Sequence, residues 1–387
     1  MEEGVMRFNR ARHLLVAIAA VVAILPALWG ARDAAGQTPR GEPYKIGVTY
    51  PLSGPLGAWG QLLYPASEIA VQHVNESGGV NGRPLALVVE DTKGSPEGAV
   101  SAMRKVVQVD NVAAILTIFT NVVSAQMPLA DQLKVPLLSP VEAPGLVTRS
   151  QWAFAHSTLI SETLPPTVAR LKRDNVKRLF VFLPNTPIAK PSTAAIKAEL
   201  EKQGINVQYE EALFKLGDSD FRGLITRAKN FNPDAIFIYG HGTPDEGVIM
   251  KQTRELGMNT PLYASGNVTS KSYREAAGKA AEGVIYTSFK YDVVAGKKFI
   301  DAYRAKLGFI PDYAALELYD MVFMIAEAIR KYGYSGDGIR RGLTEIKDFR
   351  SIGGGLVSMD KDRQSHPEVR LYQVKDVAKP EFVEIAP

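Results

Sequence analysis

Between residues 43 and 290 the sequence alternates strand-like and helix-like runs, twice over, and this restricts the chain to parallel sheets covered by helices on both faces. In the first series Tyr44–Thr49, Leu85–Asp91, Ala113–Thr117 and Pro136–Ser139 read as strands, with helices over Gln61–Asn75, Pro96–Val109 and Ser124–Leu133. Pro65 is hard to hold inside a helix, so it is expected near the first turn or at a kink. The second series has helices over Leu164–Asp174, Pro191–Gln203, Phe221–Asn230 and Asp245–Leu256. Its strands are Arg178–Leu183, Asn206–Glu211, Ala235–Tyr239, Pro261–Ala264 and Gly283–Thr287. Gly204 and Gly257 end two of those helices, and Asp220 is placed to cap a third.

Two such series predict an α/β molecule of two doubly wound parallel-sheet lobes. The helical stretches Lys297–Leu307 and Ala314–Tyr332 lack fresh strands of their own and are expected to return to the first lobe. The strand-like Gly355–Met359 and Val369–Val374 would then rejoin the second. The first lobe is accordingly drawn as 43–157 plus 288–353, and the second as 158–287 plus 354–387. Three crossings are expected near 156–159, 287–290 and 352–355. Ligands of open α/β sheets bind outside the carboxyl ends of the strands, which here places a site in the cleft between lobes.

The first 36 residues read differently. Arg7, Arg10 and Arg12 precede the apolar stretch Leu14–Leu25, and Ala34-Ala35-Gly36 supply small residues before Gln37. That order describes a secretory signal peptide, with cleavage expected after Gly36. The apolar stretch is shorter than the roughly 20 residues a spanning helix needs. An uncleaved anchor is the alternative reading. With 46% hydrophobic and 22% charged residues, the remainder has globular proportions. The absence of cysteine excludes disulfides, thiolate metal sites and cysteine nucleophiles, and suits an oxidising compartment such as the periplasm. A net charge of +4, spread along the chain, marks no nucleic-acid groove.

Several short pieces, in order, carry a resemblance. They are Tyr44-Lys45-Ile46-Gly47-Val48-Thr49-Tyr50-Pro51-Leu52-Ser53-Gly54-Pro55, Trp59-Gly60, and Val74-Asn75-Glu76-Ser77-Gly78-Gly79-Val80-Asn81-Gly82-Arg83. Glu90-Asp91-Thr92, Pro136–Pro140, Asp218-Ser219-Asp220-Phe221, Asn232-Pro233-Asp234-Ala235 and Ala281-Glu282-Gly283-Val284 follow. Over nearly all of 43–375 the chain resembles the leucine/isoleucine/valine-binding proteins of ABC importers, with the type I periplasmic-binding fold. The Gly-Gly-Val-Asn-Gly stretch is a structural turn whose glycines supply positive φ.

The resemblance puts an aromatic that covers the ligand at Trp59, whose alternative is a place in the core. It puts the ligand's α-carboxylate, and part of its α-ammonium, at the turn Phe119-Thr120-Asn121 and at the turn following the next strand. A helix start with free N–H groups suits a carboxylate, so Thr120 and Asn121 are candidates, although Thr120 also suits a simple N-cap. Val141, Ala143 and Ile188 would face an apolar or aromatic ligand body. His156 and His241 fall where strands meet the cleft and could donate to a ligand oxygen, or serve structure alone. Asn267 is a similar candidate.

The chain also departs from the pattern. The relatives carry a hydroxyl at the place of Ala143 and an acid in the loop after Pro261–Ala264, which here reads Ser265-Gly266-Asn267-Val268-Thr269. Tyrosines of the relatives correspond to the regions of Ile188 and Gly242. The ammonium half of the site therefore reads as dismantled, unless Glu142 or Glu246 replaces it, and both of these are expected in solvent. The resulting expectation is a periplasmic solute receptor of an ABC importer of the branched-chain amino acid type. It would act as a monomer, without cofactor, closing on a small carboxylate with an apolar or aromatic body and docking on an inner-membrane permease. A hydrophobic amino acid is the alternative ligand, and a ligand-sensing subunit the alternative role. Enzyme motifs are missing: no Gly-x-Ser-x-Gly elbow, no P-loop, no Gly-x-Gly-x-x-Gly after the first strand, and no metal-binding histidine spacing.

Overall fold

The computed structural model describes residues 38–377 and 382–387, apart from 55, 144, 187, 241, 242 and 293. Residues 1–36, expected to be a signal peptide, and the candidate His241 lie outside the described residues. The first sheet contains β1 (Tyr44–Tyr50), β2 (Leu85–Asp91), β3 (Ile115–Thr117), β4 (Leu137–Ser139), β5 (Ala153–His156) and a late strand, β13 (Gln364–Ser365). Its order is β13-β5-β4-β3-β1-β2, with every pairing parallel. The second sheet contains β6 (Arg178–Pro184), β7 (Gln208–Phe214), β8 (Ala235–Ile238), β9 (Leu262–Ala264), β10 (Ile285–Phe289), β14 (Val369–Val374) and β15 (Phe382–Ile385). It is ordered β15-β14-β10-β9-β8-β6-β7, and within it only β14 runs antiparallel to its neighbours. A small hairpin pairs β11 (Phe349–Arg350) with β12 (Leu356–Val357).

The two-residue period of each strand sends alternate side chains to opposite faces, and each face has its own core. From β6, Phe180 and Phe182 join Ile225, Ile236, Ile238 and Ile249 on one face. Leu179, Val181 and Leu183 join Leu164, Val168, Ile196 and Phe237 on the other. The first sheet divides in the same way. Ile46, Val48 and Tyr50 pack with residues of α1 (Gly57–Glu76) and α10 (Tyr313–Tyr332). Ile115, Leu137 and Ala153 pack with Met103 of α2 (Pro96–Arg104) and with Val123 and Met127 of α3 (Thr120–Leu133). Phe299 and Tyr303 of α9 (Lys297–Leu307) enter the same core as Ile46, so both late helices do return to the first sheet.

The third passage between sheets differs from expectation. Gln364 and Ser365 pair with Ala155 and His156 in the first sheet, and Met359 is buried in the first core. Residues 354–365 thus belong with the first sheet, and the chain passes over at 366–368 rather than at 352–355. A two-residue strand such as β13, with its polar Gln-Ser sequence, carries no periodicity to read.

Helix α1 starts at Gly57, four residues earlier than expected, and this leaves Pro65 in its interior. Gly60 permits the early start: a Cβ there would stand 1.8 Å from the Pro51 carbonyl oxygen at the end of β1. The Gly-Gly-Val-Asn-Gly turn also behaves as read, with φ of +92°, +73° and +77° at Gly78, Gly79 and Gly82. Gly60→Ala should destabilise the protein by about 1–3 kcal/mol, the usual cost of forcing an extra carbon into a packed contact. Urea unfolding measures this, and a midpoint equal to that of the parent would show that the end of β1 can yield.

Candidate functional site

The carboxyl ends of both sheets face one cleft. On the first-sheet side Asp91, at the end of β2, organises the Ser53 loop by accepting from the backbone N–H groups of Leu52 (2.8 Å) and Lys93 (2.8 Å) and from the Ser53 hydroxyl. Burial pushes its carboxyl up, but these hydrogen bonds together hold it below the ordinary aspartate range. Trp59 sits in the first turn of α1, half-buried against the first core. Thr120 is the first residue of α3 and is exposed, as is Asn121, whose amide donates to the Gly94 carbonyl at 2.9 Å. No side chain caps this helix start. The preceding Phe119 holds φ +69° and ψ 133°, a conformation that costs an aromatic residue roughly 1–3 kcal/mol and is typical of functional turns.

Deeper in, the two sheets approach across a cavity of about 20 Å³ lined by Glu142, Thr158, Thr163, Tyr239, Ser265, Gly266, Asn267, Thr287, Ser288, Phe289 and Tyr313. Glu142 follows β4, and Tyr313 opens α10; these two come from the first-sheet side. The Tyr313 hydroxyl donates to Asn267 Oδ1 at 2.7 Å, and the Asn267 amide donates to the Gly240 carbonyl at 2.8 Å, forming a bridge from one side of the cleft to the other. The Tyr313 ring meets Phe289 edge-on, with centroids 5.8 Å apart.

Glu142 is the one charged side chain among the described lining residues. Burial pushes its carboxyl up to about 7, with partial relief from the Tyr313 hydroxyl. A phenol has one proton to donate, and Asn267 Oδ1 and the Glu142 carboxylate compete for that of Tyr313, which leaves a Glu142 carboxylate under-solvated. Burial and the nearby Glu142 carboxylate both raise the Tyr313 and Tyr239 phenols well above their usual range, so both remain neutral donors.

Of the nine candidates from sequence, Asn267 lines this cavity, and the other described ones do not. Val141 is buried in the outer core of the first sheet, and Ala143 packs against the same core. Ile188 immediately precedes α5 (Ala189–Lys202) and packs, half-buried, on the second sheet. His156 is 1% exposed and uses both ring nitrogens within the protein: Nδ1 is 2.7 Å from Ser365 Oγ, and Nε2 is 3.4 Å from Asp320 Oδ2. Glu142 and Glu246 are not in open solvent as expected. Glu246 is fully buried and accepts from the Thr243 N–H at 3.2 Å, at the start of α7 (Pro244–Glu255). Sequence reasoning missed Tyr239, Phe289 and Tyr313. Tyr239 ends an apolar strand and reads as core, while Tyr313 stands outside the strand–helix alternation.

Beside the cleft, Asp320 of α10 ties the passages together. It accepts from the Ser351 hydroxyl at 2.5 Å and from the Ile352 N–H at 3.1 Å, next to His156 at the end of β5. At the third passage His366 lies 2.5 Å from Glu162 in α4 (Ile160–Arg173) and 3.0 Å from Asp360. The Glu162 hydrogen bond is the main cause that lifts the His366 imidazole up to about 9, against the opposing effect of burial.

Comparison with known proteins places this geometry. A family model described as "Periplasmic binding protein" matches residues 43–379. The Leu/Ile/Val/Thr-binding protein of Salmonella typhimurium is 29% identical over 270 residues, 68% of this chain and 73% of that protein. Among solved structures, the branched-chain amino acid transporter substrate binding protein LivJ from Streptococcus pneumoniae, in complex with isoleucine, superposes with a TM-score of 0.78. It is 25% identical and the match covers 89% of this chain and 100% of that one. A solute binding protein of an ABC transporter from Rhodopseudomonas palustris, in complex with 3,4-dihydroxy benzoic acid, shares the fold at a TM-score of 0.78 and 22% identity, over 89% and 96% of the two chains. The fold is that of type I periplasmic binding proteins, two parallel-sheet lobes about a cleft. The chain belongs to the periplasmic binding protein family, the substrate-binding proteins of ABC transporters of the branched-chain amino acid type, which are binding proteins and not enzymes.

Proposed function

We propose that this protein is the solute receptor of an ABC importer and that its ligand is an α-amino acid with an apolar side chain. The observation that carries the ligand class is Glu142, a carboxyl lining the interlobe cavity with no cation among the described lining residues. A desolvated carboxylate with no counter-charge is costly, and an ammonium group from the ligand would supply one. Strands β3 and β4 are neighbours, so the uncapped start of α3 lies beside the loop that carries Glu142. A zwitterion can then offer its carboxylate to the α3 N–H groups, near Thr120 and Asn121, and its ammonium to Glu142. A second reading, a simple aromatic acid, is supported by the three rings of Tyr239, Phe289 and Tyr313 in the lining.

The lobes are 43–157 with 288–365 and 158–287 with 366–387. A cavity of about 20 Å³ holds about one water molecule, so ligand entry requires the lobes to part about the three passages. Export to the periplasm by cleavage after Gly36, action as a monomer and docking of the closed form on a permease complete the proposal. No helix among the described residues is long and apolar enough to cross a membrane. A sensing role without transport would show as a gene neighbourhood lacking a permease.

Thermal unfolding with added ligands tests the ligand class. Leucine, isoleucine, valine or phenylalanine at about 100 times its dissociation constant should add about 2.7 kcal/mol of stability. Stabilisation by benzoate, phenylacetate or hydroxycinnamates, with none from the amino acids, would overturn the ammonium reading in favour of the aromatic acid.

A further inference from the structure

Two stretches from opposite lobes meet at the cavity through protein groups alone. The first lobe contributes the connection from α9 to α10, Phe309 to Tyr313. The second contributes the short turn Gly266–Thr269 and the helix that follows it, α8 (Lys271–Ala277), and α10 touches this turn. The Tyr313 hydroxyl donates to Asn267 Oδ1 at 2.7 Å. The other end of the Asn267 amide donates to the Gly240 carbonyl at 2.8 Å, so its own lobe holds the acceptor in position. Four residues on, Lys271 Nζ stands over the Phe309 ring, 5.0 Å from its centroid. Phe309 is fixed in turn by its own lobe: it packs against the first core and meets the Tyr303 ring edge-on, with centroids 5.9 Å apart.

Donor and acceptor, cation and ring, are all supplied by the chain, so neither contact waits for a ligand atom. Both are lost when the lobes part, and each therefore weights the ratio of open to closed molecules directly. A hydrogen bond of ordinary net strength changes such a ratio about three- to tenfold, and a cation over a ring at an exposed site about two- to fivefold. Asn267 is 7% exposed, so its bond to Tyr313 is well shielded. Lys271 is half exposed and also lies 3.7 Å from Glu275 in its own helix, which makes its share the smaller.

We propose that the contacts Tyr313–Asn267 and Lys271–Phe309 form a latch that holds the lobes together without ligand, and that ligand entry waits on its opening. The latch stands on the two-lobed fold and goes beyond the amino-acid reading above, because any ligand must pass it. A cavity of about 20 Å³ admits none while the latch is shut. Tyr313 and Lys271 are positioning residues in this role: they set how often the cleft is open. Breaking the latch raises the opening rate, and with it the rates at which ligand enters and leaves.

The chain has no cysteine, so a pair of spin labels can be placed without a competing thiol. Glu97→Cys and Lys190→Cys put them on exposed residues in the first turns of α2 and α5, one on each lobe. Pulsed electron resonance then reads the distance between lobes in protein that has been unfolded in guanidinium, dialysed free of ligand and refolded. The wild type should show one main distance. Tyr313→Phe should move population to a longer one, raising the open-to-closed ratio about three- to tenfold. Lys271→Met should move it the same way, about two- to fivefold. The second variant matters because Glu142 competes for the Tyr313 proton, whereas Lys271 and Phe309 lie outside the cavity lining. A wild type whose main population is already the longer distance overturns the latch, and so do wild-type distances in both variants. Stopped-flow mixing with leucine reads the gate. The observed association rate should level off as leucine rises, and the plateau should be higher in Tyr313→Phe, which loss of a ligand contact would not produce. A rate that keeps climbing in proportion to leucine overturns the gate. If leucine, isoleucine, valine and phenylalanine all fail to bind, the amino-acid reading fails, and the distances still decide the latch.

Discussion

Replacing Glu142 by glutamine should weaken binding of an apolar amino acid by about two to four decades. The buried ammonium would lose its counter-charge, and an unpaired buried charge costs about 3–5 kcal/mol. Neither Glu246, held by the Thr243 N–H, nor Asp312, held by the Ala315 N–H, is free to take over. A ligand without the ammonium should lose little or gain. The same substitution should stabilise the empty protein at alkaline pH. Burial raises the Glu142 carboxyl from 4.5 to about 7, so the folded state keeps a proton that the unfolded chain gives up. The penalty is absent below pH 4.5, grows as pH rises to 7, and is complete above it. Glu142→Gln should therefore raise the unfolding temperature of the empty protein more at pH 8 than at pH 5. Leucine affinity within threefold of wild type, measured by calorimetry, would remove Glu142 from the site.

What the sequence disclosed and what it hid divide along a physical line. Strand–helix alternation is a local property, and Phe180 and Phe182 against Leu179, Val181 and Leu183 is a pattern that any sheet covered on both faces must show. The Gly-Gly-Val-Asn-Gly turn was legible because positive φ selects glycine. The third passage was not, because β13 is two polar residues whose place is decided by Ala155 and His156, more than two hundred positions away. Part of the cavity lining was hidden for a related reason. Asn267 follows β9, where sequence order fixes position, but Tyr313 reaches the cleft from a helix that returns to the first sheet after β10. Glu142 was weighed as a solvated charge because composition favours that outcome for a glutamate, and only the packing of Tyr313 and Tyr239 around it shows otherwise. His156 illustrates the converse: it ends β5, and both of its ring nitrogens face groups of the passages, Ser365 and Asp320.

Asp320→Ala should be among the most destabilising single changes in the molecule, by about 3–5 kcal/mol, because it leaves buried partners of a carboxylate without an acceptor. Asp320 is 2% exposed and His156 1%, so water does not readily replace what is lost. The Ser351 hydroxyl and Ile352 N–H lose their acceptor directly, and Ser351 also accepts from the Gly353 N–H at 3.0 Å, so the loss spreads into the 351–353 turn. All of these groups lie on the first-sheet side: β5 ends at His156, β13 at Ser365, and α10 carries Asp320. The network thus fixes the first-lobe ends of the first and third passages, and bending is left to the residues just beyond, 157–159 and 366–368. Asp320→Asn keeps one carbonyl oxygen as acceptor and should recover part of the loss, which separates hydrogen bonding from charge. Denaturant unfolding of both variants gives the two costs, and leucine titration gives the functional consequence. If Asp320 acts as described, stability falls in the order wild type, Asn, Ala, while leucine affinity at a temperature where all three are folded changes much less than in Glu142→Gln. A loss of affinity in Asp320→Ala as large as that of Glu142→Gln, with stability preserved, would instead make Asp320 part of the ligand site and His156 its partner there.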